Sequence, residues 1–317
     1  MAHSFEIGIA LWSQQASWQE VMDGAERVDE LGFDHLWSVD HWLAPHGEPD
    51  QPIFDGWMTL AGWATRTSRT RLCMFVAANT FRSPGHTAKL VSTLDHMSNG
   101  RAMLGLGAAW FAREHEAYGV DFGASPGERI RWLDDSADIC RRLLDGERVT
   151  VTEGRYRIDD LELLPPPVQA HLPMVIGGSG EKKTLRVVAR HADVWNAFGS
   201  PETIEHKIAI LGEHCEAVGR DLSDIRLTLG VQVIIRDSVA DARAVHEAQL
   251  AKNLITPENT IIDPVSTWLG TVDDIVDRIR TYRALGISGL IVEMPAPFDH
   301  ETLRRLAEEV RPQLPTE

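Results

Sequence analysis

Asp40, His41 and Trp42 stand directly after one short apolar segment, and Trp110, Arg113, Glu114 and His115 follow another. An imidazole is the side chain that exchanges protons most readily near neutral pH, so His41 is a candidate general acid or base. A lone histidine is commonly structural, but this one lies at a strand end beside Asp40 and Trp42. Glu114 and His115 are candidates for a second proton donor, while Arg113–Glu114 is equally consistent with an ion pair that only holds a loop. No Ser–His–Asp order or nucleophile elbow is evident, and the histidines are too dispersed to propose a metal site.

Aromatic residues recur at the same kind of position. Trp12, Trp42, Phe81, Trp110 and Trp195-Asn196 each follow an apolar run, in a chain with 10 tryptophans and 3 tyrosines. Indoles gathered around one mouth suit a planar, mostly apolar ligand such as a flavin-type ring. Each tryptophan taken singly also suits core packing, so the binding reading rests on their convergence. After a later run comes Gly177-Gly178-Ser179-Gly180, with Lys182 and Lys183 nearby. Such glycines let backbone N–H groups approach an anion, and Ser179 is placed to cap a following helix whose positive end would face a phosphate. A tight strand-to-helix turn would also want glycines.

The elements that must position these groups alternate from end to end. Strands are expected at Phe5–Leu11, Asp34–Val39, Leu72–Ala78, Ala102–Ala109, Pro173–Gly177, Asp193–Phe198, Ile225–Ile235 and Gly289–Met294, because near-continuous apolar runs of this length suit parallel strands buried on both faces. Helix starts are marked by Ser17…Glu20, Ser83-Pro84, Ser125-Pro126, Ser200-Pro201, Ser238…Asp241 and Thr271…Asp274, and helix ends by Gly32, Gly219 and Gly286. Strand–helix alternation repeated along the whole chain predicts a (β/α)8 TIM barrel; an open doubly wound sheet is the rival. No GxGxxG follows the first strand, which weakens that rival. Residues 1–317 thus read as one domain, with insertions at about 146–172 and 256–270 that suit lids or packing segments.

Composition narrows the function classes. Charged residues at 25% and apolar ones at 43% describe an ordinary globular protein. A formal charge of −16 argues against nucleic acid or anionic membrane as a partner and leaves a small-molecule substrate. The three scattered cysteines read as buried free thiols, which points to a cytoplasmic location. The start, MAHSFEIGIAL, lacks a basic region before an apolar one and so reads as no secretory signal.

Taken together, SVDHW, TFRSP…AKLVSTLDHMSNGRAMLGLGAAW…REHEAYG, LPPPV…LPMVIGGSGEKKTLRVVARHADVWN and YRALGISGLIVE resemble the bacterial luciferase-like flavin and deazaflavin oxidoreductases. The match spans nearly the whole chain. It implies a barrel with a cofactor at the carboxyl ends of the strands, usually in a homodimer. The Asp-His pair resembles the branch that uses the deazaflavin coenzyme F-420. Carried over, Asp40 and His41 would contact the deazaflavin ring, Phe75, Val76 and Ala77 would press on its other face, and Gly177 to Gly180 would hold the tail phosphate. A non-prolyl cis peptide is implied at or next to Phe75–Val76. Members acting on sugar phosphates and alcohols carry a Glu acid where this chain has Trp110, which points to a more apolar substrate. The expected activity is therefore hydride transfer between F-420 and an apolar organic substrate, with His41 handling a proton. The alternatives are an FMN-dependent monooxygenase and a cofactor-binding barrel without catalysis.

Overall fold

The apolar runs do become strands, and they close on themselves. The computed structural model describes residues 5–260 and 263–314; the first four residues of the N-terminal reading and 261–262 of the second expected insertion lie outside it. Among the described residues the strands are β1 (Glu6–Trp12), β2 (His35–Ser38), β3 (Arg71–Met74), β4 (Ala77–Ala78), β5 (Ala102–Gly107), β6 (Val149–Val151), β7 (Ile158–Leu161), β8 (Met174–Gly177), β9 (Val194–Ala197), β10 (Arg226–Ile235), β11 (Thr267–Gly270) and β12 (Gly289–Pro295). In the order β1-β2-β3-β5-β8-β9-β10-β12 each strand is parallel to its neighbours. β12 returns to β1 along Glu6↔Gly289 through Trp12↔Pro295, closing an eight-stranded barrel.

Period-two alternation then divides the side chains. On β1, Ile7, Ile9 and Leu11 pack outward into the core beneath the helices. Ala10 faces inward, where Trp37, Cys73, Met103, Val175, Val194 and Ile291 join it in one packed layer contributed by seven strands. That layer plugs the barrel, so a ligand can enter only above it, at the carboxyl ends. Helices start where the sequence places them. Ser17 and Thr271 make full capping boxes, while Ser83, Ser125 and Ser200 cap helices with Pro in the first turn. Each such cap stabilises its helix by about 1 kcal/mol. None of the described helices is long and apolar enough to cross a membrane, and the three cysteines are buried and unpaired.

Two local expectations are corrected. The run Leu72–Ala78 is not one strand: it breaks at Phe75–Val76, where the peptide bond is cis as the resemblance implies, and resumes as β4. Ser179 caps no helix, because the next helix begins only at Thr184 and its N-cap, Lys183, makes no side-chain bond. The segment 146–172 contains an antiparallel hairpin, β6 with β7, followed by an extended stretch. That stretch lies along the helix Pro84–Met97: Ser92 Oγ donates to the Pro165 carbonyl (2.9 Å) and Gln169 N–H to Asp95 (3.0 Å). This insertion packs against the barrel wall. Part of the other one, at Asp263 and Ser266, reaches the barrel mouth.

Candidate active site

The loop after β2 carries Asp40 and His41. Asp40 is buried, and its two oxygens accept both arms of the Arg82 guanidinium (2.7 and 2.9 Å) and the N–H of Ala78 (2.9 Å). The carboxylate therefore ties this loop to the residue just past the break in β3–β4. His41 lies next in sequence with its side chain 13% exposed, and its Nδ1 is 3.1 Å from Glu114 Oε1. Glu114, 2% exposed, also accepts the N–H of Trp42 through Oε2 at 3.0 Å. A carboxylate at Nδ1 fixes the tautomer with its proton there and leaves Nε2 for a substrate or cofactor. The imidazole is stacked at 6.1 Å from Trp12 and meets Trp110 edge-on at 5.4 Å.

These groups edge a cavity of about 720 Å³ over the plugged barrel, within the range of small-molecule and cofactor sites. One wall is a bulge at Phe75–Val76, and three glycines make room for it. A Cβ on Gly105 would lie 2.0 Å from the Met74 carbonyl, one on Gly107 2.6 Å from Val76 Cγ2, and one on Gly177 3.2 Å from the same methyl. Phe198, seated over Gly230, where a Cβ would be 2.3 Å away, lies beside Phe75 with ring centroids 6.1 Å apart. Val76 thus presents a smooth apolar surface backed by glycines on neighbouring strands.

The glycine loop after β8 and the start of helix Pro126–Leu144 both border the cavity, through Gly177, Gly178, Thr184, Pro126 and Arg129. Gly178 has φ of +110°, so a side chain there would be strained. Its N–H donates to the Asn196 carbonyl (3.3 Å) and its carbonyl accepts Trp195 Nε1–H (2.8 Å). Arg129 stacks on Phe122 at 3.8 Å, and among the described residues no carboxylate pairs with it. Burial pulls its pKa down, an electrostatic cost that an anion in the cavity would relieve.

Two further titratable groups line the cavity. Burial, helped by the charge of His41, lowers the pKa of His46 to about 4, so this imidazole is neutral at physiological pH. Burial also raises the Glu293 carboxyl to about 7, with a Trp12 hydrogen bond opposing part of the shift.

Of the residues singled out in the sequence, Trp12, Asp40, His41, Phe75, Val76, Trp110, Glu114, Gly177, Gly178 and Asn196 line this one cavity. Others stand behind it. Trp42 stacks on Phe81 at 3.9 Å. His115 is buried between Thr80 Oγ1 and the Phe111 carbonyl (both 2.8 Å). Trp195 is fully buried beneath the glycine loop, Ala77 is buried in β4, and Ser179 and Gly180 lie outside the lining. Sequence reasoning passed over His46, Arg129, Phe198, Gln232 and Glu293. Glu293 carried a visible signal, an acid inside the apolar strand GLIVEMP; His46 sits in a loop with no pattern to mark it.

Comparison with known proteins agrees with this architecture. Residues 1–289 match the luciferase-like monooxygenase family. The chain is 32% identical over 167 residues to an uncharacterized protein of Mycobacterium tuberculosis (strain ATCC 25618 / H37Rv), a match covering 53% of this chain and 58% of that one. It is 27% identical over 346 residues to the F-420-dependent glucose-6-phosphate dehydrogenase of Microbacterium testaceum (strain StLB037), covering 99% of this chain and 98% of the relative. Among solved structures, monooxygenase RslO1 from Streptomyces bottropensis superposes with a TM-score of 0.80 at 21% identity, covering 97% of this chain and 99% of that one. The strand-end cavity, its glycine-backed bulge and the family match converge: the chain belongs to the luciferase-like monooxygenase family of oxidoreductases.

Proposed function

We propose that this protein transfers hydride between the deazaflavin coenzyme F-420 and a largely apolar organic substrate. The observation that carries the reading is the His41–Glu114 pair, which holds an imidazole proton-transfer group at the edge of a largely apolar cavity at the barrel mouth. The near-full-length relation to an F-420-dependent dehydrogenase supports the coenzyme. The residues fit such a group: Val76, backed by Gly105, Gly107 and Gly177, offers a flat apolar support for a planar ring, and Arg129 with the Gly177–Gly178 turn offers a cationic end for a phosphate-bearing tail.

When bound, F-420 supplies or accepts hydride at a ring carbon. This chain does the rest. Asp40 and Arg82 hold the loop after β2 in place, and Glu114 keeps the His41 proton on Nδ1. His41 Nε2 then gives or takes the proton that accompanies hydride at a substrate oxygen or carbon, and Glu114 offsets the charge on the imidazole as it forms. Trp12 and Trp110 wall the site and limit water, and Trp110 provides no acid where a sugar phosphate or simple alcohol would call for one.

The second reading, an FMN-dependent monooxygenase, is favoured by the family description itself. The two separate in air. Protein with reduced F-420 and a panel of apolar ketones and enones should consume the coenzyme at equal rates under nitrogen and oxygen. Substrate turnover that requires FMN, a reductant and oxygen would place the chain with the monooxygenases.

A further inference from the structure

Strand β12 holds one carboxyl group among apolar residues, Glu293. It shares parity with Ile291, which belongs to the packed layer inside the barrel, so Glu293 points inward one layer closer to the mouth. Its register partner on β10 is Gln232. The β10 neighbours Val231 and Val233 pack outward, so Gln232 also points in. Both side chains line the cavity. Gln232 is only 8% exposed, and its Oε1 has no hydrogen-bond partner. A buried amide left unmatched beside a half-buried acid is costly unless a ligand completes it.

We propose that Glu293 and Gln232 form a receptor for a neutral carbonyl group on the substrate, both donating to its oxygen. This rests on the reading of the cavity as the substrate site of an oxidoreductase, and it narrows the substrate to carbonyl compounds. Glu293 keeps its proton until about pH 7, because burial disfavours the carboxylate, and in that form its O–H donates. The amide of Gln232 exchanges its oxygen and nitrogen by a half-turn and then presents N–H to the same point. Two donors converging on one oxygen stabilise the negative charge that hydride addition to a carbonyl builds there. The other titratable or charged groups around Glu293 are His46 and the His41–Glu114 pair beyond Trp12, Asp263 in the cavity lining just before β11, and Asp299 with Arg236 behind the strands. His46 stays neutral above about pH 4, so it does not titrate in the same range.

The test uses the full chain without coenzyme and two probes of similar shape, acetophenone and ethylbenzene, in ligand-observed NMR titrations. Wild type should bind acetophenone about tenfold more tightly near pH 6 than near pH 8, with ethylbenzene unchanged. Glu293→Gln keeps a donor that does not titrate, so its acetophenone affinity should be flat across that range. Gln232→Met should weaken acetophenone by about three- to tenfold at both pH values and leave ethylbenzene alone. The proposal is overturned by pH-independent acetophenone binding in wild type, by pH dependence that survives in Glu293→Gln, or by Gln232→Met treating both probes alike. None of these outcomes bears on which coenzyme the protein binds.

Discussion

Glu114 Oε1 lies 3.1 Å from His41 Nδ1, while its second oxygen accepts the Trp42 backbone N–H at 3.0 Å, so one buried carboxylate holds both the imidazole and the peptide that follows it. Removing a positioned acid or base costs about 10²–10⁴ in rate. His41→Ala should therefore lower kcat by that order while coenzyme affinity stays within a few-fold. Glu114→Gln keeps the shape and loses the charge, so it should give a smaller loss together with a shifted pH–rate profile. Unchanged turnover in His41→Ala would move the proton route elsewhere.

Trp110 is 47% exposed at the cavity rim and meets His41 only edge-on. Trp110→Ala should raise KM and broaden substrate range with kcat nearly unchanged. Steady-state kinetics on short and long apolar substrates distinguish this from a catalytic role, which would lower kcat for all of them.

The barrel and its helices were legible in the sequence because parallel strands buried on both faces must be continuous apolar runs and because Ser-Pro and Thr…Asp starts announce helices. The break at Phe75–Val76 was not visible in periodicity, since the run is apolar on both sides of it; only the family resemblance placed it. His41 and Glu114 were each recognisable at strand ends, but their union was not, because they are 73 positions apart and meet only once β2 and β5 lie on either side of β3. Glu293 needed strand register as well as sequence, since only its parity with Ile291 turns it inward. Ser179 misled because a serine shortly before a helical run resembles a cap, yet residues 181–183 form a turn first and the helix begins only at Thr184.

The bulge depends on missing side chains. A Cβ on Gly107 would sit 2.6 Å from Val76 Cγ2, so Gly107→Ala must push the bulge into the cavity. Overpacking of this kind costs about 1–3 kcal/mol. Thermal unfolding should show a matching loss, and coenzyme binding should weaken more than the stability change alone explains. A fully stable Gly107→Ala variant with normal binding would show that the bulge is not held by this contact.

Arg129 is a cation in the cavity lining, and Gly178 shapes the glycine turn that also borders it. Arg129→Met should weaken binding of a phosphate-bearing coenzyme about tenfold or more and lessen its salt dependence, because a charge-assisted bond of about 1.5–3 kcal/mol is removed. Gly178→Asp should weaken it further through strain and negative charge. Affinity unchanged in both variants would mean the phosphate binds elsewhere.

Two cavity groups bias stability in opposite senses over overlapping pH windows, so in wild type their effects largely offset each other. The folded protein leaves His46 unprotonated down to about 4, whereas an unfolded imidazole takes a proton at 6.5, so stability falls as pH drops through that window. Glu293 acts in the opposite sense: the folded carboxyl keeps its proton up to about 7 and the unfolded one loses it at 4.5, so its contribution is lost as pH rises between them. Each effect is of the order of 1–3 kcal/mol. Between about pH 4.5 and 6.5 denaturant unfolding should therefore show a nearly flat wild type and a Glu293→Gln variant that gains stability as pH rises, and an identical profile in both would contradict the assignment.

A paired titration of the purified protein with F-420 and with FMN, following quenching of each cofactor's own fluorescence, decides which coenzyme the cavity takes. F-420 should bind saturably at substantially lower concentration than FMN, with binding weakened in Arg129→Met and retained in His41→Ala. FMN binding as tight as F-420 or tighter would contradict this and assign the cavity to the flavin-dependent monooxygenases.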